Sequence, residues 1–95
     1  MAAPARPPPL DGAAGYRLHP QVALRPEPFG ALAYHYGNRR LTFLRSSELA
    51  ELVRHLEHHV SLDAALTASG VARDRWPSLH TALASLAASE VLCAR

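Results

Sequence analysis

The run Phe29-Gly-Ala-Leu-Ala-Tyr-His-Tyr36, the pair Gly37-Asn38 and the run Arg39-Arg-Leu-Thr-Phe-Leu-Arg45 decide how this chain folds. Two residues of the Gly-Asn kind between aromatic and apolar runs are a strong hairpin signal, because both tolerate the positive φ that tight turns need. Setting Tyr36 opposite Arg39 pairs Tyr34 with Leu41 and Leu32 with Phe43, and these four side chains then share one face of the ribbon. The other face carries Ala31, Ala33, His35, Arg40, Thr42 and Leu44, and is smaller and more polar. One face is expected to be core and the other mostly wet. Upstream, Gln21-Val-Ala-Leu-Arg25 alternates as a strand does and Pro26-Glu27-Pro28 ends it, with His19-Pro20 as its lead-in.

Downstream the hydrophobic period switches from two to 3.6. Ser46 or Ser47 caps a first helix, with Glu48 and Glu51 in its positive first turn and Leu49, Leu52, Val53, Leu56 and Val60 as its buried stripe. Ser61 caps a shorter helix through Leu62, Ala65 and Leu66, which Gly70 terminates. A third helix starts between Asp74 and Pro77 and runs to about Ser89, with Leu79, Leu83 and Leu86 inward. Val91 and Leu92 then fold back or cap the core. Three strands followed by three helices make an α+β fold, arranged like a winged helix-turn-helix.

The 95 residues allow one small domain. Residues 1–15, MAAPARPPPLDGAAG, are Pro/Ala-rich without a period and read as a disordered tail, leaving 16–95 for the domain. Ten basic residues, all Arg, stand against eight acidic ones, a balance too weak to imply nucleic acid by itself. Cys93 is alone, so neither an intrachain disulfide nor a cysteine metal site is available. Without a membrane-length apolar run or a signal-peptide h-region, the expected location is cytoplasmic.

Catalysis has no visible carrier. The serines read as caps or lie in the third helix, and there is no nucleophile elbow or phosphate loop. His55 and His59 are spaced to share a helix face, but Leu56 stands where the zinc-protease pattern needs Glu, and no third ligand is suggested nearby. Histidines near a helix C-terminus are favourable on dipole grounds alone, so no metal is expected. A winged-helix DNA regulator is the alternative reading. Against it, the third helix from Pro77 to Ser89 offers no Arg, Lys, Asn or Gln to base edges.

That helix instead presents two adjoining apolar stripes, one of Trp76, His80, Leu83 and Ala87 and one of Leu79, Ala82 and Leu86. Two stripes exceed what one small core consumes, which points to a groove. In a simple meander, Arg39–Arg45 lies at the sheet edge, where unpaired amides beside an apolar helix form a slot for an incoming peptide strand. Arg39, Arg40 and Arg45 deter self-pairing and attract acidic ligand residues. An open edge also permits an edge-strand dimer, so monomer and dimer both remain open.

The run from Tyr16 to Ser46, above all Leu24-Arg-Pro-Glu-Pro-Phe-Gly30 followed by Tyr34-His-Tyr-Gly37, closely resembles the mycofactocin biosynthesis chaperone (MftB) family. This family belongs to the PqqD-like recognition elements of ribosomal peptide natural products. The resemblance covers about residues 16–92, with the helices matching in pattern and length. It implies a non-catalytic protein that binds a precursor's leader peptide as an added strand between the third strand and the third helix. It then presents the precursor to a radical S-adenosylmethionine maturase, which carries the cofactors; none is expected here. Carried over by position, the peptide-binding residues are Arg39, Arg40, Leu41, Thr42, Phe43, Leu44 and Arg45 on the strand. Trp76, His80, Leu83, Ala84 and Ala87 form the helical wall.

Overall fold

A computed structural model describes residues 8–95. Its elements run β1 (Tyr16–Leu18), β2 (Val22–Glu27), β3 (Gly30–His35), β4 (Leu41–Leu44), α1 (Ser47–His55), α2 (Leu62–Ala68), α3 (Trp76–Ala88) and β5 (Leu92–Ala94). Single 3₁₀ turns at Leu56–His58 and Arg73–Arg75 follow α1 and precede α3. The central antiparallel sheet has the order β2-β3-β4, followed by the three helices, so the α+β expectation holds.

The expected hairpin register is found. Tyr34 lies opposite Leu41 and Leu32 opposite Phe43. The turn that sets it is longer than two residues. Residues 36–39 form the loop, His35 N donates to Arg40 O at 3.0 Å, and Arg39 takes the left-handed conformation at φ 64. His35 explains this choice. Its Nδ1 accepts the backbone N–H of Gly37 (3.0 Å) and Asn38 (3.1 Å), satisfying two turn donors from within the buried side of the sheet.

The buried face is the small one. Ala31 and Ala33 are 2% and 1% exposed, with His35 and Leu44 beside them, whereas Leu41 and Phe43 are more than half exposed. Packing explains which face is buried. α1 lies against β3 and β4 and brings Ala50, Leu52 and Val53 into the core, with Leu56 of the turn after it, so the strand beneath it needs small side chains for the helix to approach closely. The large side chains of the core therefore come mainly from the helices, including Leu62, Leu66, Leu79 and Leu83.

The helix boundaries follow their caps. Ser46 Oγ accepts from Leu49 N at 3.1 Å and Ser61 Oγ from Ala64 N at 3.0 Å. Replacing either serine by alanine is expected to cost about 1 kcal/mol in urea unfolding, with the slope unchanged. Gly70, at φ +73, closes α2 with Gly70 N on Thr67 O and Val71 N on Leu66 O, the paired bonds of a Schellman motif. The first-helix stripe stops short of its expected end. α1 gives way to a 3₁₀ turn after His55, and Val60 is 82% exposed rather than buried.

Two features depart from the composition-based outline. β1 pairs antiparallel with β5, setting Tyr16 opposite Ala94 and Leu18 opposite Leu92, so a second small sheet joins the two ends of the domain. Val91 and Leu92 are buried there, as expected of them. The segment 8–15, assigned to the tail, is also tied down. Gly12 and Ala14 carbonyls accept from Asp63 N and Leu62 N at the start of α2, and Leu10 packs against the core. Residues 1–7 of the expected tail lie outside the described residues.

Candidate functional site

β4 is an edge strand, and the ladder fixes which of its backbone groups are open. Tyr36 N donates to Gln21 O at 2.7 Å, while His35 N donates to Arg40 O. Antiparallel pairing alternates, so Ala31, Ala33 and His35 bond toward β4, and Leu32 and Tyr34 toward β2. Arg40, Thr42 and Leu44 therefore face β3. The N–H and C=O groups of Leu41 and Phe43 point away from the sheet, with no hydrogen bond to them among the described residues.

The opposite edge differs. Val22, Leu24 and Pro26 face outward from β2 by the same alternation. Val22 N is already bonded to His19 O at 2.9 Å, and Pro26 has no N–H to give. The sheet thus has one blunted edge and one open edge.

Arg45 and Phe43 project together beside the open edge, the guanidinium 5.5 Å from the ring centroid. Arg39, Arg40 and Arg45 are exposed, and none has an ion-pair partner among the described residues. α3 is braced from the turn before it. Arg75 pairs with both carboxylate oxygens of Glu48 at the start of α1, at 2.8 and 2.6 Å. Hydrogen bonding to Glu48 and its charge hold the Arg75 guanidinium above its ordinary pKa.

The predicted helical wall is only partly surface. Trp76 is half-buried, with its Nε1 donating to Val71 O at 3.1 Å and Arg73 stacked 4.4 Å over its ring. His80 Nε2 lies 3.2 Å from Asp63 Oδ1. Leu83 is 0% and Ala84 4% exposed, so these two belong to the packed interior and offer little to a ligand. Ala87 and Ala84 line a hollow with Pro8, Pro9 and Leu10, which places the N-terminal segment along that end of α3. The main packing neighbours of α3 are β5 and the 3₁₀ turn before it.

Histidine chemistry falls elsewhere than the sequence suggested. α1 ends at His55, so the helix that would place His55 and His59 on one face does not continue. His19, His35 and Glu90 instead bring potential ligand atoms within 4.8 Å of one another. The donor set does not suit a metal. His35 Nδ1 accepts two backbone N–H groups and His19 Nδ1 accepts Gln21 N at 3.0 Å. A neutral imidazole that accepts at Nδ1 carries its proton on Nε2, where the ion would have to bind. His35 Nε2 is buried without a partner, held against the His19 ring at 4.5 Å between centroids.

Further large side chains outside the predicted set lie on the sheet face away from α1. Phe29, Leu32, Tyr34 and Tyr36 share the outer sheet face with Leu41 and Phe43. The alternation of aromatic and aliphatic residues through Tyr34-His-Tyr36 and Leu41-Thr-Phe43 carried that signal, but it reads equally well as core.

A family model described as the peptide chaperone MftB family matches residues 15–93. Two proteins named peptide chaperone MftB are similar to the chain over most of their lengths. The protein of Mycolicibacterium smegmatis is 49% identical over 84 residues, covering 87% of this chain and 81% of the relative. The protein of Mycobacterium tuberculosis is 48% identical over 82 residues, covering 85% and 74%. No solved structure matches the chain significantly.

Proposed function

The chain belongs to the peptide chaperone MftB family, and we propose that it captures the leader of the mycofactocin precursor peptide as a strand added to β4. As a chaperone it is not an enzyme; in this reading, it presents the bound precursor to a radical S-adenosylmethionine maturase. The observation that carries the reading is the asymmetry of the sheet. The outward amides and carbonyls of Leu41 and Phe43 are open, while the β2 edge is blunted by Pro26 and the His19–Val22 turn. An extended peptide pairs with such an edge through main-chain bonds, and pockets for alternate side chains select its sequence.

Of the helical residues assigned to the peptide-binding wall, Trp76 and His80 keep accessible surface. Leu83 and Ala84 support them from the interior, and Ala87 lies beside residues 8–10. Nucleic acid is a poorer occupant, because the exposed residues of α3 include Pro77, Ser78, Thr81 and Ser85 but no base-reading cation or amide.

Calorimetric titration with the full precursor and with a precursor lacking its leader tests the proposal. Heat with the first and none with the second is expected; equal heats, or none from either, contradict it. Reversing the charge at Arg40 should weaken leader binding several-fold at low salt, with the loss shrinking as salt screens it. The same titration at two ionic strengths reads that effect.

A further inference from the structure

The outer face of the β2-β3-β4 sheet carries what a solvated face normally does not. The rows Ala23–Tyr34–Leu41 and Arg25–Leu32–Phe43 cross it in register. Tyr36 meets Tyr34 edge-to-face at 5.2 Å, and Phe29 meets Phe43 at 5.8 Å, extending the apolar surface at both ends. Phe29, Tyr36, Leu41 and Phe43 are between 44% and 61% exposed, while α1 packs the opposite face. A shallow hollow lined by Ala23, Leu32, Tyr34, Tyr36 and Leu41 lies within it.

Its charge is one-sided. Arg25 and Arg45 border the face, and Arg39 follows Tyr36 in the loop. Glu27, the carboxylate on this side of β2, offsets Arg25 at 2.8 Å, which leaves Arg39 and Arg45 as the cations without an ion-pair partner among the described residues. Exposed Tyr, Phe and Arg on one surface are the side chains that concentrate binding energy at protein interfaces. A second copy of this chain would set arginines against arginines, whereas an acidic rim would complement them.

We propose that this outer face docks a folded protein that presents an apolar patch rimmed by Asp and Glu. Resting on the reading above, that protein is the maturase. The geometry gives the arrangement a purpose. A strand paired to β4 points alternate side chains to the same side as Leu41 and Phe43, so it continues the docking face. A partner seated there touches chaperone and captured peptide together.

The test uses the full chain carrying Phe29→Ser and Tyr36→Ser, two exposed positions away from the edge amides of β4. Interferometry against the purified maturase should show association weakened about tenfold or more, with leader titration and melting temperature unchanged. Arg45→Glu should weaken the same association at low salt and less at high salt, and it decides the matter if the double variant melts early. Wild-type maturase affinity in both variants overturns the proposal. So does a wild-type dimer in sedimentation that the double variant abolishes, which would assign the face to a second copy. Loss of leader binding by the wild-type chain would sink the strand-addition reading alone, because maturase association is measured without the peptide.

Discussion

Replacing Gly30 by alanine is expected to lower the melting temperature by about 12 °C or more, the equivalent of roughly 3 kcal/mol in a domain of this size. Gly30 sits at φ +145, and a Cβ there would stand 2.1 Å from the Leu44 carbonyl oxygen and 2.9 Å from backbone atoms of Ser46. Both neighbours are main chain, so neither can rotate aside. Relief would require β4 and the cap of α1 to move together. Gly70→Ala is the matched control. Its φ is +73, but nothing lies within 4 Å of the added atom, so its cost is backbone strain alone, about 1 kcal/mol. Thermal melts followed by circular dichroism separate the two. Similar small losses would mean that the β3–β4 corner has slack the structure does not show.

The second large effect concerns the open edge. Phe43→Pro removes an outward-facing amide and leaves the β3–β4 ladder intact, since Phe43 faces Leu32 in a pair that exchanges no backbone bonds. Leader affinity should fall about tenfold or more while the domain stays folded. Thr42→Pro has the opposite signature. The Thr42 amide is directed at Ala33, so proline there breaks the ladder and destabilises the sheet by about 3 kcal/mol. A leader titration and a urea melt on both variants discriminate the cases. If Phe43→Pro binds normally and Thr42→Pro folds normally, the assignment of open and paired groups is reversed.

Local chemistry made much of this fold legible in advance. The Gly37-Asn38 break and the flanking alternation specified the Tyr34–Leu41 register, even though the loop closes at His35 and Arg40. Ser46, Ser61 and Gly70 marked helix ends because each satisfies backbone groups within three or four residues of itself. What escaped is set by contacts distant in sequence. Apolar content does not tell which face of the ribbon is core; that depends on α1 settling over Ala31 and Ala33. The pairing of Tyr16–Leu18 with Leu92–Ala94 joins short segments that have no periodic signature. Nor does sequence alone show that residues 8–14 serve the start of α2, because their composition is that of a linker.

The candidate site was legible to the same extent. Edge position and the Arg-flanked strand followed from the meander, but the direction of each amide required the register of both neighbouring ladders. On α3, helical periodicity placed Trp76, His80, Leu83 and Ala87 on one stripe without separating surface from interior. Leu83 fills the core, whereas His80 meets Asp63 at the surface end of the same stripe.

Strand addition at β4 is tested most directly by amide hydrogen exchange, residue by residue, with and without the leader peptide. The amides of Leu41 and Phe43 should gain strong protection on binding, while the outward amide of Leu24 on the opposite edge should not change. Protection at Leu24 in place of Leu41 and Phe43, or binding that protects neither edge, would contradict the account.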